Sequence, residues 1–108
     1  MSTTSPLSET SRRAAARPAP APVFCFSVAA AAEPGVMPRV LELFAKRNLV
    51  PLRWHSDRLP AGQGRGGETL AIDIQVRDLE PELCDYIARC LRQIHGVETV
   101  LTSEKGFG

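Results

Sequence analysis

Glu68-Thr69-Leu70-Ala71-Ile72-Asp73-Ile74-Gln75-Val76-Arg77 carries the strictest two-residue alternation in the chain. Leu70, Ile72, Ile74 and Val76 point one way, and Thr69, Asp73, Gln75 and Arg77 point the other. That period belongs to a β-strand with one covered face and one polar face, as in an antiparallel sheet. Immediately upstream, Pro60-Ala61-Gly62-Gln63-Gly64-Arg65-Gly66-Gly67 reads as a flexible hairpin tip. It lacks the G-x-x-x-x-G-K-[ST] order of a phosphate loop and leads into a strand instead of a helix.

Before the hairpin, Leu49 to Arg58 is predicted as a strand in which Val50, Leu52 and Trp54 alternate with Pro51, Arg53 and His55. Trp54 is expected to pack toward the helices. His55 is expected on the polar face, with Arg53, Asp57, Asp73, Gln75 and Arg77. After residue 77, Asp78 or Glu80 should cap a helix with Pro81 in its first turn and Gly96 beyond its end. Leu83, Ile87, Cys90, Leu91 and Ile94 form its expected apolar stripe, and His95 falls at its C-terminal end. Val97 to Thr102 is the fourth strand.

Toward the N terminus, Val23-Phe24-Cys25-Phe26-Ser27-Val28-Ala29-Ala30 is the first strand, with Phe24, Phe26 and Val28 on one face. Gly35 to Arg47 follows as an amphipathic helix with Val36, Val40, Leu43 and Phe44 on its stripe. Pro38 falls in its first turn, where a missing N–H costs little, and Asn48 suits its C-terminal cap. The order is βαββαβ. The fold class expected is α+β, a ferredoxin-like sandwich with two helices on one face of an antiparallel sheet.

Residues 1–21 are rich in Ser, Thr, Ala, Pro and Arg without periodicity, and are expected to form a disordered tail. Residues 22–104 then make the domain, and 105–108 fray. The chain has 108 residues and 44% apolar content, enough for one small core that a second copy would help to stabilise. A net charge of +1 argues against nucleic acid and charged membrane as partners. No apolar run approaches the roughly 20 residues that span a bilayer. The three cysteines, Cys25, Cys84 and Cys90, form no C-x-x-C pair. No disulfide framework or metal site is expected, and a reducing cytoplasm is the expected location.

Between the first strand and first helix lies Ala31-Ala32-Glu33-Pro34-Gly35-Val36-Met37. The free N–H groups of a helix's first turn, with its dipole behind them, suit a carboxylate. Pro34-Gly35-Val36-Met37, Val40, Leu43-Phe44 and Lys46-Arg47 stand in the register N-x-P-G-V-[LM]-x-x-V…L-F-x-[RK]-R. This stretch resembles the ligand loop of ACT domains, most closely the small regulatory subunits of acetolactate synthase. The resemblance covers roughly residues 23–104.

The resemblance implies domains paired edge to edge into one eight-stranded sheet, with an effector amino acid held at the joint. Carried over, the ligand loop is Ala32, Glu33, Pro34, Gly35, Val36 and Met37, and the backbone amides of Gly35, Val36 and Met37 would receive a carboxylate. The family places Asn where this chain has Ala32, and a second Asn after the first helix where this chain has Val50. Both amide groups that read an amino acid's charged ends are thus replaced by apolar ones. The resemblance implies a non-catalytic regulatory module without cofactor. Its partners would be a second copy, a small amino-acid-like ligand and a large catalytic subunit. The rival expectation is a dimeric interaction module that has lost its ligand. Ser, His and Asp residues occur, but none in a nucleophile-elbow setting, so no enzyme activity is expected.

Overall fold

The computed structural model describes residues 22–61 and 67–105. Its elements are β1 (Val23–Ala31), α1 (Val36–Ala45), β2 (Arg53–Leu59), β3 (Thr69–Arg77), α2 (Pro81–Arg92) and β4 (Val97–Lys105). The strands form one antiparallel sheet in the order β2-β3-β1-β4. The expected βαββαβ ferredoxin-like architecture is therefore the observed one. The expected tail, the tip of the hairpin and the last three residues lie outside the described residues.

The core sits between the sheet and both helices. Phe24, Phe26, Val28 and Ala30 of β1 and Leu70, Ile72, Ile74 and Val76 of β3 meet Val36, Val40 and Phe44 of α1 and Cys84, Ile87, Ala88 and Leu91 of α2. The alternation read from residues 68–77 thus selects the helix-covered face. Phe26 and Phe44 meet edge to face, with ring centroids 5.4 Å apart and both rings fully buried, a favoured aromatic geometry.

A residue with positive φ follows each helix, directly in the C-terminal turn of α1 and, for α2, at the end of the turn leading to β4. Asn48 (φ 57) follows α1, where its N–H donates to Ala45 C=O and that of Leu49 to Phe44 C=O, both at 3.0 Å. This is a Schellman pattern with Asn in the left-handed position. Gly96 (φ 97) follows α2. Glu80 occupies the N-cap position of α2 but makes no side-chain capping bond.

Three expectations need correction. The second strand begins at Arg53, not Leu49. Leu52 N–H makes one bond to Gln75 C=O at 2.7 Å, but Pro51 has no N–H to extend the ladder. Val50 is 86% exposed and Leu52 50% exposed, so neither belongs to the core. In α2 the buried stripe is Cys84, Ile87, Ala88 and Leu91, while Leu83, Cys90 and Ile94 are only half-buried. Cys84 and Ala88 are both buried in the core cluster. The fourth strand extends beyond Thr102 to Lys105, which pairs with Val23.

Trp54 is half-buried and packs against the core, as its alternation implied. His55 pairs across the strands with Asp73, and Arg53 with Gln75, which places all four on the open face. The three cysteines are free, with Cys84 in the core and Cys25 and Cys90 half-buried. No helix among the described residues is long and apolar enough to cross a membrane.

Candidate functional site

The β1–α1 loop is held by backbone bonds on two sides. Ala31 N–H donates to Gly96 C=O at 2.8 Å, and Ala32 N–H to Glu68 C=O at 3.2 Å. The loop is thereby tied to the turn after α2 and to the approach to β3. Glu33 N–H then donates to Ala31 C=O at 2.8 Å, a three-residue turn, and Val36 N–H to Glu33 C=O at 3.1 Å. Of the three amides expected to receive a carboxylate, that of Val36 is already engaged by the loop itself.

Gly35 takes φ −82 and ψ −7, a right-handed conformation open to any residue. The turn does not draw on glycine's conformational freedom there. What crowds Gly35 is a side chain, because an added Cβ would lie 2.5 Å from Arg39 Nη1. Arg39 folds back along the helix and donates to Gly35 C=O at 3.4 Å. The first turn of α1 carries no acidic residue and no side-chain cap.

Ala32, Glu33, Pro34 and Met37 converge on a groove of about 330 Å3, completed by Ser56 and Arg58 of β2 and Leu70 of β3. Ser56 Oγ approaches Met37 Sδ at 3.6 Å across the groove. Arg58 Nε donates to Glu68 Oε1 at 2.7 Å, in an exposed ion pair. On the other side of the loop, Glu33, Glu68 and Glu98 rim a second recess with an acidic lining. Glu33 therefore stands between two depressions, one mixed in charge and one acidic.

Val36 is buried beneath the loop and belongs to the core. Val50 does not join this groove: it lies past the C-terminal end of α1, a helix about 15 Å long by its rise per residue. Within one chain, then, the two positions where the family carries Asn sit at opposite ends of α1. Sequence reasoning missed Ser56, Arg58 and Leu70 as groove residues. The signal was present in the alternation that placed Trp54 inward, since Ser56 and Arg58 follow it on the same face. Among the described residues, no group of three or more His, Cys, Asp or Glu is placed to hold a metal ion. His95 lies exposed in the turn after α2.

No protein-family model matches the chain, and no curated protein matches it. Solved structures do. The ACT domain from the GTP pyrophosphokinase of Chlorobium tepidum superposes with a TM-score of 0.59 at 10% identity, covering 75% of this chain and 96% of that one. The C-terminal domain of the MgtC protein from Mycobacterium tuberculosis superposes with a TM-score of 0.59 at 12% identity, covering 80% and 89%. At such identities the likeness is one of fold: this chain has a ferredoxin-like fold similar to that of an ACT domain.

Proposed function

We propose that this chain is a non-catalytic regulatory module of the ACT type that acts as a dimer. It binds an amino acid or similar small acid at the β1–α1 loop and controls a partner enzyme of amino-acid metabolism. By analogy with the small subunits of acetolactate synthase, the corresponding partner is a large catalytic subunit.

The observation that supports this reading is the groove where the loop meets β2. Its volume lies near the lower end for ligand pockets and suits a molecule of amino-acid size. Met37, Pro34, Ala32 and Leu70 offer apolar surface to an aliphatic side chain, while Glu33 and Arg58 offer opposite charges to a zwitterion. The groove borders β2, an edge strand. A second copy pairing along that edge would close the groove and exclude water from it. With Ala32 and Val50 in place of the family's amides, the ligand's charged ends fall to Glu33, Arg58 and the loop backbone.

A second reading has its own support. Val50 is 86% exposed and the Val36 amide is occupied, so the usual contacts are thinned and the module serves only to dimerise. One experiment separates the two. Thermal unfolding of the purified chain is followed against the twenty amino acids and common 2-oxo acids, with sedimentation to give its oligomeric state. A ligand that binds only the folded form raises the midpoint with concentration. A dose-dependent rise that Arg58→Ala removes is the expected result. A dimer that no compound shifts at millimolar concentration leaves the dimerisation reading. A monomer with no response overturns both.

A further inference from the structure

The face of the sheet away from the helices holds a second concavity. A groove of about 420 Å3 is lined by Cys25 of β1, Arg53 and His55 of β2, Asp73 and Gln75 of β3 and Lys105 of β4. All four strands contribute. The register explains why: Arg53 lies opposite Gln75, Gln75 opposite Cys25, and Cys25 opposite Ser103, forming one row across the sheet. In the next row, Arg77 and Lys105 flank Val23. Half-buried Cys25 and Gln75 make the floor. Arg53 and Lys105 stand on the two edge strands, about 14 Å apart across the sheet by strand spacing. Each side chain is long enough to reach inward over that floor.

The charges here are unevenly satisfied. Asp73 Oδ1 accepts from Ser27 Oγ at 2.9 Å, and Asp57 Oδ2 lies 3.0 Å from His55 Nε2, so each carboxylate has a polar partner although neither is paired with an Arg or Lys among the described residues. Among the described residues, Arg53, Arg77 and Lys105 have no ion-pair partner. Three cations at one end of one face, with Asp73 the acid among them, repel one another. An oxyanion seated over Cys25 and Gln75 would relieve that repulsion. A guanidinium can hold it through two parallel N–H donors, the Lys105 ammonium as a point charge, and the Gln75 amide as a neutral donor. No Phe, Tyr or Trp lies on this face among the described residues, so base stacking is not what the surface offers.

We propose that this groove is a binding site for a small organic oxyanion, a carboxylate or phosphate ester, held by Arg53 and Lys105 over Cys25 and Gln75. It lies on the opposite face of the sheet from the loop groove and does not depend on the function proposed above.

The test is a two-dimensional amide NMR titration of the full chain with inorganic phosphate and, separately, with succinate. Saturable shifts centred on the Cys25, Gln75 and Ser103 amides are expected. Stronger binding of phosphate points to phosphate esters, and of succinate to dicarboxylates. Arg53→Ala and Lys105→Ala should each weaken the binding roughly tenfold, the scale of one charge-assisted contact. Lys46→Ala removes the same charge from the residue that follows α1 and should leave the titration unchanged. Unfolding midpoints of all variants establish that they fold. Absence of saturable shifts overturns the proposal. So do shifts that sodium chloride reproduces at equal ionic strength, or an equal loss in Lys46→Ala. Amino-acid binding at the loop, measured on the same Arg53 and Lys105 variants, should be unaffected, so the failure of one site is distinguishable from that of the other.

Discussion

Replacing Gly96 by alanine should destabilise the domain far more than replacing Gly35, although Gly35 is the glycine that sequence patterns single out. Gly96 has φ +97, where an L-residue is strained. An added Cβ there would lie 3.2 Å from Val36 Cγ2, 3.5 Å from Glu33 Oε1 and 4.0 Å from Ala31 Cβ. Val36 is buried and cannot easily withdraw. Backbone strain of about 1–2 kcal/mol, plus some crowding, gives a total of about 2 kcal/mol. For a domain of this size that lowers the melting midpoint by about 10 °C. Gly35, by contrast, has φ −82 and meets only the far end of the exposed Arg39 side chain. Arg39 can rotate away at the cost of a long hydrogen bond, so Gly35→Ala should change stability by less than about 0.5 kcal/mol. Thermal and urea unfolding followed by circular dichroism measures both. A Gly35→Ala variant as unstable as Gly96→Ala would refute the assignment of the strained position.

Two further outcomes follow from the core. Phe26 is fully buried against Phe44, so Phe26→Ala should cost about 3–5 kcal/mol. That is most of a small domain's stability, and loss of the cooperative transition at 37 °C would show it. Burial, with Asp85 and Glu104 adding to it, pushes the Cys84 thiol above its ordinary value of 9.0. Above pH 9 the unfolded thiol loses its proton while the folded one keeps it, so stability should fall as pH rises from there. Urea midpoints between pH 8 and 10.5 should show a shallower decline in Cys84→Ala than in the parent, and equal slopes would contradict this.

Much of the architecture was legible in the sequence because two strands carry their burial as a strict alternation. Leu70, Ile72, Ile74 and Val76 are all buried, as are Phe24, Phe26 and Val28, so both central strands read correctly. Edge strands are harder. Val50 and Leu52 continue the alternation of Trp54 on paper, but no helix covers them, and hydropathy alone does not reveal that. In α2 the expected stripe took Leu83, Cys90 and Ile94 by their hydropathy, whereas the buried positions beside Ile87 and Leu91 are Cys84 and Ala88, one helical turn apart. Of the loop groove, the half contributed by contiguous residues 32–37 was visible. The half supplied by Ser56, Arg58 and Leu70 depends on which strands neighbour the loop, which only the assembled sheet fixes. The open-face groove needed the register of all four strands, since Lys105 and Arg53 are 52 positions apart in the chain.

The two edges of the sheet are not equivalent. Between Ala29 and Ala30 the β1–β4 register shifts, with Ala29 opposite Thr99 but Ala30 opposite Val97, so Glu98 is the extra residue of a bulge on β4. The β2–β3 register runs without interruption from Arg53 to Leu59. A bulge sharpens local twist and spoils the straight row of donors and acceptors that an incoming strand would need. Around Glu98 β4 is therefore a poor template, although from Thr99 to Lys105 its register with β1 is as regular as that of β2 with β3. Pairing of two copies along β2 would leave β4, with its bulge at Glu98, at both outer ends. A further strand added to such a pair would have to align beyond the bulge, over Thr99–Lys105, so the irregularity fixes where on the outer edge growth could begin.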